Sequence, residues 1–194
     1  YEEFPPSVAF FFDMVLGIFL WIPFSLILGF DFSHLGMVFV YALISAILSE
    51  AFFFYVLSKG EISVTGTILA SYPIYTIFFS LFINKELLLP WHWVFVGITI
   101  FGTLLSSLPR KINKSELGKK SYIIWALAGA IAVGLSDSLS KNIIDKSSAA
   151  SFLFALAITQ IPISLLYLKI EKQSLRQFLA LKKIFGKYRF SMAL

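Results

Sequence analysis

Four ionisable side chains interrupt otherwise apolar stretches of this chain: Asp13, Glu50, Asp137 and Lys141. Each would cost about 2.5–3.5 kcal/mol at the centre of a bilayer, so each is expected to face a bundle interior or a wet cavity rather than lipid. Asp13 lies about seven residues into its apolar stretch and Glu50 about eight from the end of the next, which at 1.5 Å per residue puts both roughly 10–12 Å from one surface. Two carboxylates at one level in a low dielectric would hold a proton between them, which is what a proton-coupled carrier requires. The competing reading is a pair of neutral acids, hydrogen-bonded to serine or backbone carbonyls for packing. Asp137 and Lys141 are spaced i,i+4 and share a helix face, where a charge-neutralising pair that lets the helix insert is the favoured role. The same depth count puts Asp137 near the surface opposite that of Asp13.

A second group of residues could bind a solute. Thr67, Ser71 and Tyr75 form one i,i+4,i+8 row and Tyr72, Thr76 and Ser80 a neighbouring one, giving a hydroxyl-rich face beside Pro73. Pro73 removes the hydrogen bond to the carbonyl four residues back, which leaves an acceptor free where the helix bends. Ser71, Tyr72, Pro73, Tyr75 and Thr76, with Asp13, Glu50 and Gln160, are therefore the candidate substrate-binding residues. Packing of helices through hydroxyls is the rival explanation for the face. Ala126, Ala130 and Gly134 form a small-xxx-small stripe that permits close helix contact.

Other chemistries find little support. His34 and His92 lie in predicted loops without ligand spacing, so no metal is expected. No phosphate-cradling glycine loop with lysine is present, and no cofactor is implied. Gly134-Leu135-Ser136-Asp137 approaches the Gly-x-Gly-Asp pattern of intramembrane aspartyl proteases but lacks the second glycine, which leaves that activity a remote alternative. The chain is not expected to be an enzyme.

The elements that must position these residues are membrane helices. Hydrophobic residues make up 58% of the chain, charged residues 14%, and mean hydropathy is +0.85; these values lie well outside the soluble average. Apolar segments at 6–29, 36–58, 62–84, 90–108, 121–143 and 148–169 are each close to the length that crosses a bilayer, which predicts six spans. Their length and lack of alternation exclude barrel strands, so the fold is all-α, a polytopic membrane helix bundle. Cysteine is absent, so there is neither a disulfide framework nor thiolate chemistry. A multi-pass protein of a cell membrane, plasma or inner, is expected, with membrane lipid and a small-molecule solute as partners, no nucleic acid, and room for a homo-oligomer.

A repeat is visible within the chain. Ile22-Pro23-Phe24-Ser25-Leu26 matches Ile161-Pro162-Ile163-Ser164-Leu165 at an offset of 139 residues. Sliding the chain by that offset implies five helices per repeat, with one helix expected before Tyr1 and three after Leu194. An odd number makes successive repeats enter the membrane from opposite sides, the inverted-repeat plan of secondary transporters. Residues 1–108 are then a first repeat lacking its first helix, 109–120 a basic linker, and 121–194 the start of a second repeat with its basic loop. The positive-inside rule makes the side holding the linker and the tail Lys169 to Arg189 cytoplasmic. Ser174–Phe185 reads equally as an interfacial amphipathic helix or a solvated basic loop.

Several spaced features of the third and fourth spans carry a family resemblance. They are a glycine-led start at Gly60-Glu61, the mid-helix Ser71-Tyr72-Pro73, the closing Asn84-Lys85-Glu86, and Gly97 with Gly102 in the next span. Together they resemble the EamA-like half of the drug/metabolite transporter superfamily, over residues 6 to 169. Glu86 and Gly97 stand further apart than in the family's pattern. The resemblance implies helices two to seven of a ten-helix carrier, working by alternating access on a small metabolite or drug-like solute. It also implies a basic residue at the end of the fifth visible span, a place that Lys141 fills, and a linker on the outside, opposite to the orientation the charges favour. A non-transporting scaffold or assembly subunit is the alternative from another class, and it would have no need of buried acids.

Overall fold

The computed structural model describes residues 5–60, 62–87, 89–107 and 120–174. All the regular structure among them is helical. Helix α1 spans Pro6–Leu28, with proline in its first turn, where the missing N–H costs nothing. Helix α2, Leu35–Ser45, passes through a π turn at Ala46–Ala51 into α3, Phe52–Leu57. Helices α4, Ile62–Leu69, and α5, Tyr72–Ile83, form the third predicted span in two pieces. Helix α6 is Pro90–Ser107, α7 is Lys120–Ile144 and α8 is Ala149–Ile170. The side chain of Ser148 caps α8 by accepting the Ser151 N–H at 3.0 Å.

Among the described residues, five helical stretches are long and apolar enough to cross a membrane: Pro6–Leu28, Leu35–Leu57, Val64–Ile83, Tyr122–Ile144 and Ala149–Ile170. The fourth predicted span is present as the helix α6. The chain is thus a polytopic helix bundle. The basic linker up to residue 119, Glu61 and the amphipathic stretch from 175 onward lie outside the described residues.

The third span breaks where proline predicts it. The pyrrolidine of Pro73 cannot donate to the Leu69 carbonyl, and the chain tightens into i→i−3 bonds, Ser71 N–H to Ile68 O at 3.0 Å and Ile74 N–H to Ser71 O at 3.1 Å. The Ser71 hydroxyl adds a bond to the same Ile68 carbonyl at 2.6 Å.

Helix α7 is central, packing against α2, α3, α4, α5 and α8. Its small residues allow this. Ala126 and Ala130 are fully buried, Gly129 faces Leu69 and Val56, and Gly134 lies against the backbone of Tyr75 and Thr76. A second core, with Val38, Ala42, Ile143, Phe152 and Leu156, joins α2, α7 and α8.

Helices α1 and α8 form the most extensive pair, and their ends fix the direction. The Ser7 N–H donates to Glu171 Oε2 at 3.2 Å. At the opposite end the Asp31 N–H donates to Ser151 Oγ at 3.0 Å, and that hydroxyl donates to the Asp31 carbonyl at 2.7 Å. The two helices therefore run antiparallel. Inside them the matched serines do the same thing: Ser25 donates to the Ile22 carbonyl at 2.8 Å, and Ser164 to the Ile161 carbonyl at 2.9 Å. Pro23 and Pro162 deprive the carbonyls four residues back, those of Phe19 and Ile158, of a helix donor, and each serine bonds the carbonyl just before its proline.

Candidate functional site

Glu50 sits in the π turn, where the Phe52 N–H reaches back five residues to the Ile47 carbonyl. Such one-residue expansions concentrate at functional sites because they turn side chains out of helical register. Three serines hold the turn against α7. Ser49 meets Ser45 at 3.1 Å and Ser136 at 2.7 Å, and Ser136 donates to Ser45 at 2.9 Å, closing a ring of hydroxyls. Glu50 follows Ser49 and Asp137 follows Ser136, so the ring sets two acids side by side on neighbouring helices.

Glu50 lies within electrostatic reach of both Asp13 and Asp137. Three carboxylates from α1, the π turn and α7 therefore gather in one region of the bundle. The depth count placed Asp137 near the opposite surface, and this is corrected. That count assumed each helix crosses along the membrane normal from a common level. At 25 residues, α7 is about 37 Å long, more than roughly 30 Å of hydrocarbon, so residue number overstates its travel.

Lys141 does not neutralise Asp137. Among the described residues its ion pair is with Glu86, beyond the end of α5. Around that pair a polar strap ties α5 to α7: Asn84 Nδ2 donates to the Ser138 carbonyl at 3.1 Å, and Asn142 Nδ2 to Asn84 Oδ1 at 3.1 Å. Ser80 and Ser138 meet beneath them at 3.3 Å. Asp137 instead accepts from Thr76 Oγ1 at 3.3 Å.

The hydroxyl face of the third span is divided in use. Thr76 serves the acid cluster, Ser80 serves helix packing, and Tyr75 lies against Gly134. Ser71 is turned back onto its own helix, and Tyr72 is exposed on the outside of the bundle. Pro73 marks the break just ahead of Tyr75 and Thr76.

Gln160 of α8 is fully buried, and among the described residues neither its Oε1 nor its Nε2 has a hydrogen-bond partner. A Cβ built on Gly17 would stand 3.3 Å from its Oε1. Gly17 and Asp13 are one helical turn apart on α1, so the amide tip lies over the helix face that carries an acid. Of the residues read as candidates, the structure relates Asp13, Glu50, Asp137 and Thr76 to one another and sets Gln160 against Gly17, one turn from Asp13. It leaves Lys141, Ser71 and Tyr72 away from them. The serine ring, the π turn and the asparagine strap were not foreseen, and the only sequence signal for them is serine and asparagine in unusual number on facing helices.

The profile of the EamA-like transporter family matches residues 1–108. The chain belongs to the EamA-like transporter family. Like the other members it is a multi-pass membrane protein of a transporter family, and the matched region contains Asp13, Glu50 and the broken span with Thr76. No curated protein and no solved structure matches the chain.

Proposed function

We propose that this EamA-like chain is part of a secondary active carrier that moves a small solute by alternating access and couples the movement to protons through Glu50. The observation that carries the reading is the gathering of Asp13, Glu50 and Asp137 with, among the described residues, no basic side chain acting on Glu50. The charged groups within reach of Glu50 are Asp13 from α1 and Asp137 from α7, and Asp137 accepts from the neutral Thr76 of α5. Such a cluster can take up a proton when it opens to one side and release it when it opens to the other.

The domain plan proposed is an inverted pair of five-helix repeats, of which 1–108 is the first without its first helix and 121–194 the start of the second, joined by the linker 109–120. Antiparallel α1 and α8, with equivalent proline–serine turns, support it. In such carriers the site lies near the midplane between the repeats, and Asp13, Gly17 and Gln160 lie on that boundary. The α5–α7 strap, Glu86–Lys141 and Asn84–Asn142, closes one end of the helix pair beyond Thr76 and Asp137, the position of a gate. A plasma or inner cell membrane is the proposed location.

The test is uptake into proteoliposomes by the full-length protein, screened over amino acids, amines, nucleobases and sugars, with a pH-sensitive dye inside. Glu50→Gln keeps size and hydrogen bonding but cannot titrate. It is expected to abolish pH-driven accumulation while leaving solute exchange at equal pH. A variant that accumulates solute with the parent's pH profile would leave a facilitative carrier instead.

A further inference from the structure

We infer that water enters the bundle along the seam between α1 and α8 and joins Asp13 to the membrane face where α1 begins and α8 ends, with the hydroxyls of Tyr167 and Ser7 as its relay. The inference rests on the proton-coupled reading above and gives its protons a route.

Contacts down the seam fix its register. The Ser7 N–H donates to Glu171 Oε2 at 3.2 Å, the Phe10 and Tyr167 rings stand 6.4 Å apart, and a Cβ on Gly17 would stand 3.3 Å from Gln160 Oε1. Each step along α1 is thus matched by an equal step back along α8. Asp13, three residues past Phe10 and four before Gly17, comes level with Ser164, three before Tyr167 and four beyond Gln160. The seam is filled by buried residues, Ser7, Phe10, Met14 and Gly17 of α1 against Gln160 and Ser164 of α8. They recur at three and four residues, the spacing of one helix face, and Asp13 flanks Met14 at the edge, half-buried.

Unpaired polarity is concentrated here. Among the described residues six side-chain polar atoms are buried without a hydrogen bond, and four of them belong to this one seam: Ser7 Oγ, Tyr167 OH and both amide atoms of Gln160. Such a group costs about 1–3 kcal/mol when left unpaired, and a buried water making about three hydrogen bonds is the common remedy. Ser7 and Tyr167 lie within about a turn of the helix ends, close to bulk water. Gln160 is ten residues in from Ile170, about 15 Å, so water that serves it has travelled the seam and passed the level of Asp13.

The distances suit a relay. About 9 Å of helix separates Ser7 from Asp13, which is about three hydrogen-bonded steps of about 2.8 Å. A hydroxyl both donates and accepts. Tyr167 or Ser7 can therefore take a proton from the side of Glu171 and release its own inward; the transfer ends with the Asp13 carboxylate neutralised and each hydroxyl as it began. Ser164 spends its hydrogen on the Ile161 carbonyl at 2.9 Å and keeps lone pairs for a water. Phe10 is fully buried between these groups and holds the route to single file. The outer face of α1 offers no such path, since the exposed Leu16 and Leu20 carry no polar side-chain atom.

The experiment uses the full-length protein in proteoliposomes and has two readouts. Single cysteines at Ser7, Ser164 and Leu20 are treated with 2-aminoethyl methanethiosulfonate, which reacts with the thiolate and so needs water at the sulfur. Ser7→Cys and Ser164→Cys are expected to react at least tenfold faster than Leu20→Cys on the apolar outer face. The second readout is the infrared carboxyl band that Asp13→Asn removes, followed as its hydrogen exchanges for deuterium. Exchange is expected to slow at least tenfold in Tyr167→Phe, which keeps the ring against Phe10 and loses only the hydroxyl. This second readout decides the matter even if a cysteine variant fails to fold. A Ser164→Cys protein as unreactive as Leu20→Cys, a parent with no Asp13 carboxyl band, or exchange unchanged in Tyr167→Phe would overturn the inference. Proton-driven uptake of a solute through an unreactive seam would sink the route and spare the carrier. A reactive seam with tyrosine-dependent exchange, and no uptake of any solute, would do the reverse.

Discussion

Gly134→Ala is the sharpest test of how the site is held. A Cβ at Gly134 would stand 2.6 Å from Tyr75 Cβ and 2.7 Å from the Thr76 backbone nitrogen. Carbon contacts are comfortable at about 3.5–4.0 Å, so α5 must retreat by about 1 Å. The Thr76–Asp137 bond already measures 3.3 Å, and that retreat breaks it. Overpacking costs about 1–3 kcal/mol, and the lost bond adds about 0.5–1.5 kcal/mol. Other glycines of the bundle serve as graded controls. At Gly129 the new Cβ meets the Leu69 Cδ2 at 2.7 Å, the far end of a side chain that can rotate; at Gly17 it meets the Gln160 Oε1 at 3.3 Å; at Gly66 it meets nothing. Gly66→Ala should be neutral or should gain up to about 1 kcal/mol from helix propensity. Thermal melting in one detergent, read by size-exclusion retention, is expected to rank the variants Gly134→Ala lowest, then Gly129→Ala and Gly17→Ala, with Gly66→Ala at or above the parent. A Gly134→Ala protein that melts with the parent, or a Gly66→Ala protein that falls as far, would refute the close approach of α5 to α7.

Pro73→Ala should restore the donor that the Leu69 carbonyl lacks, straighten the third span and reduce transport while the protein still inserts; unchanged uptake would assign Pro73 to packing alone. The Lys141–Glu86 pair is partly exposed, at 49% and 30%, so Lys141→Ala should cost only about 0–1 kcal/mol. A double-mutant cycle with Glu86→Ala should return a coupling of that size, and a coupling several times larger would mean the pair is shielded as the strap closes. Ser25→Ala and Ser164→Ala should destabilise by similar amounts, about 0.5–1.5 kcal/mol each, since both donate to the equivalent carbonyl; a large difference in melting would count against their equivalence.

What could be read from the sequence is what a single segment decides for itself. Length and apolarity set the helices, and the interruption between Leu69 and Tyr72 follows from one missing N–H at Pro73. The small face of α7 is likewise local, since Ala126, Ala130 and Gly134 share a stripe whatever faces it. Properties of pairs were not legible. Lys141 is one turn from Asp137 in sequence yet binds Glu86, because the end of α5 comes alongside it and its long stem reaches outward. Asp137 escaped its predicted level because depth depends on tilt, which neighbouring helices set. The π turn has no composition signal, and it takes effect only through Ser136 on another helix. Gln160 was legible as a polar residue in an apolar span, but not that its amide would be left without a partner.

The repeat and the site meet at one contact. Under the offset of 139 residues that aligns Ile22 with Ile161, Gly17 corresponds to Leu156 and Trp21 to Gln160. The contact between Gly17 and Gln160 therefore has a counterpart between Leu156 and Trp21, and Trp21 does pack against the apolar cluster that contains Leu156. Antiparallel helices related by a two-fold axis in the membrane plane must exchange their contacts in this way. The two halves of the exchange differ in chemistry: one sets a glycine against a buried amide, the other an indole against the apolar cluster that contains Leu156. On the inverted-repeat reading, polarity has been built on one side of the axis only, the side where Asp13 stands one turn from Gly17. The apolar side then acts as a packed pivot, because a filled contact resists opening. On the same reading the glycine side, where Gln160 is buried against Gly17, is the looser contact and the one at which the repeats would part.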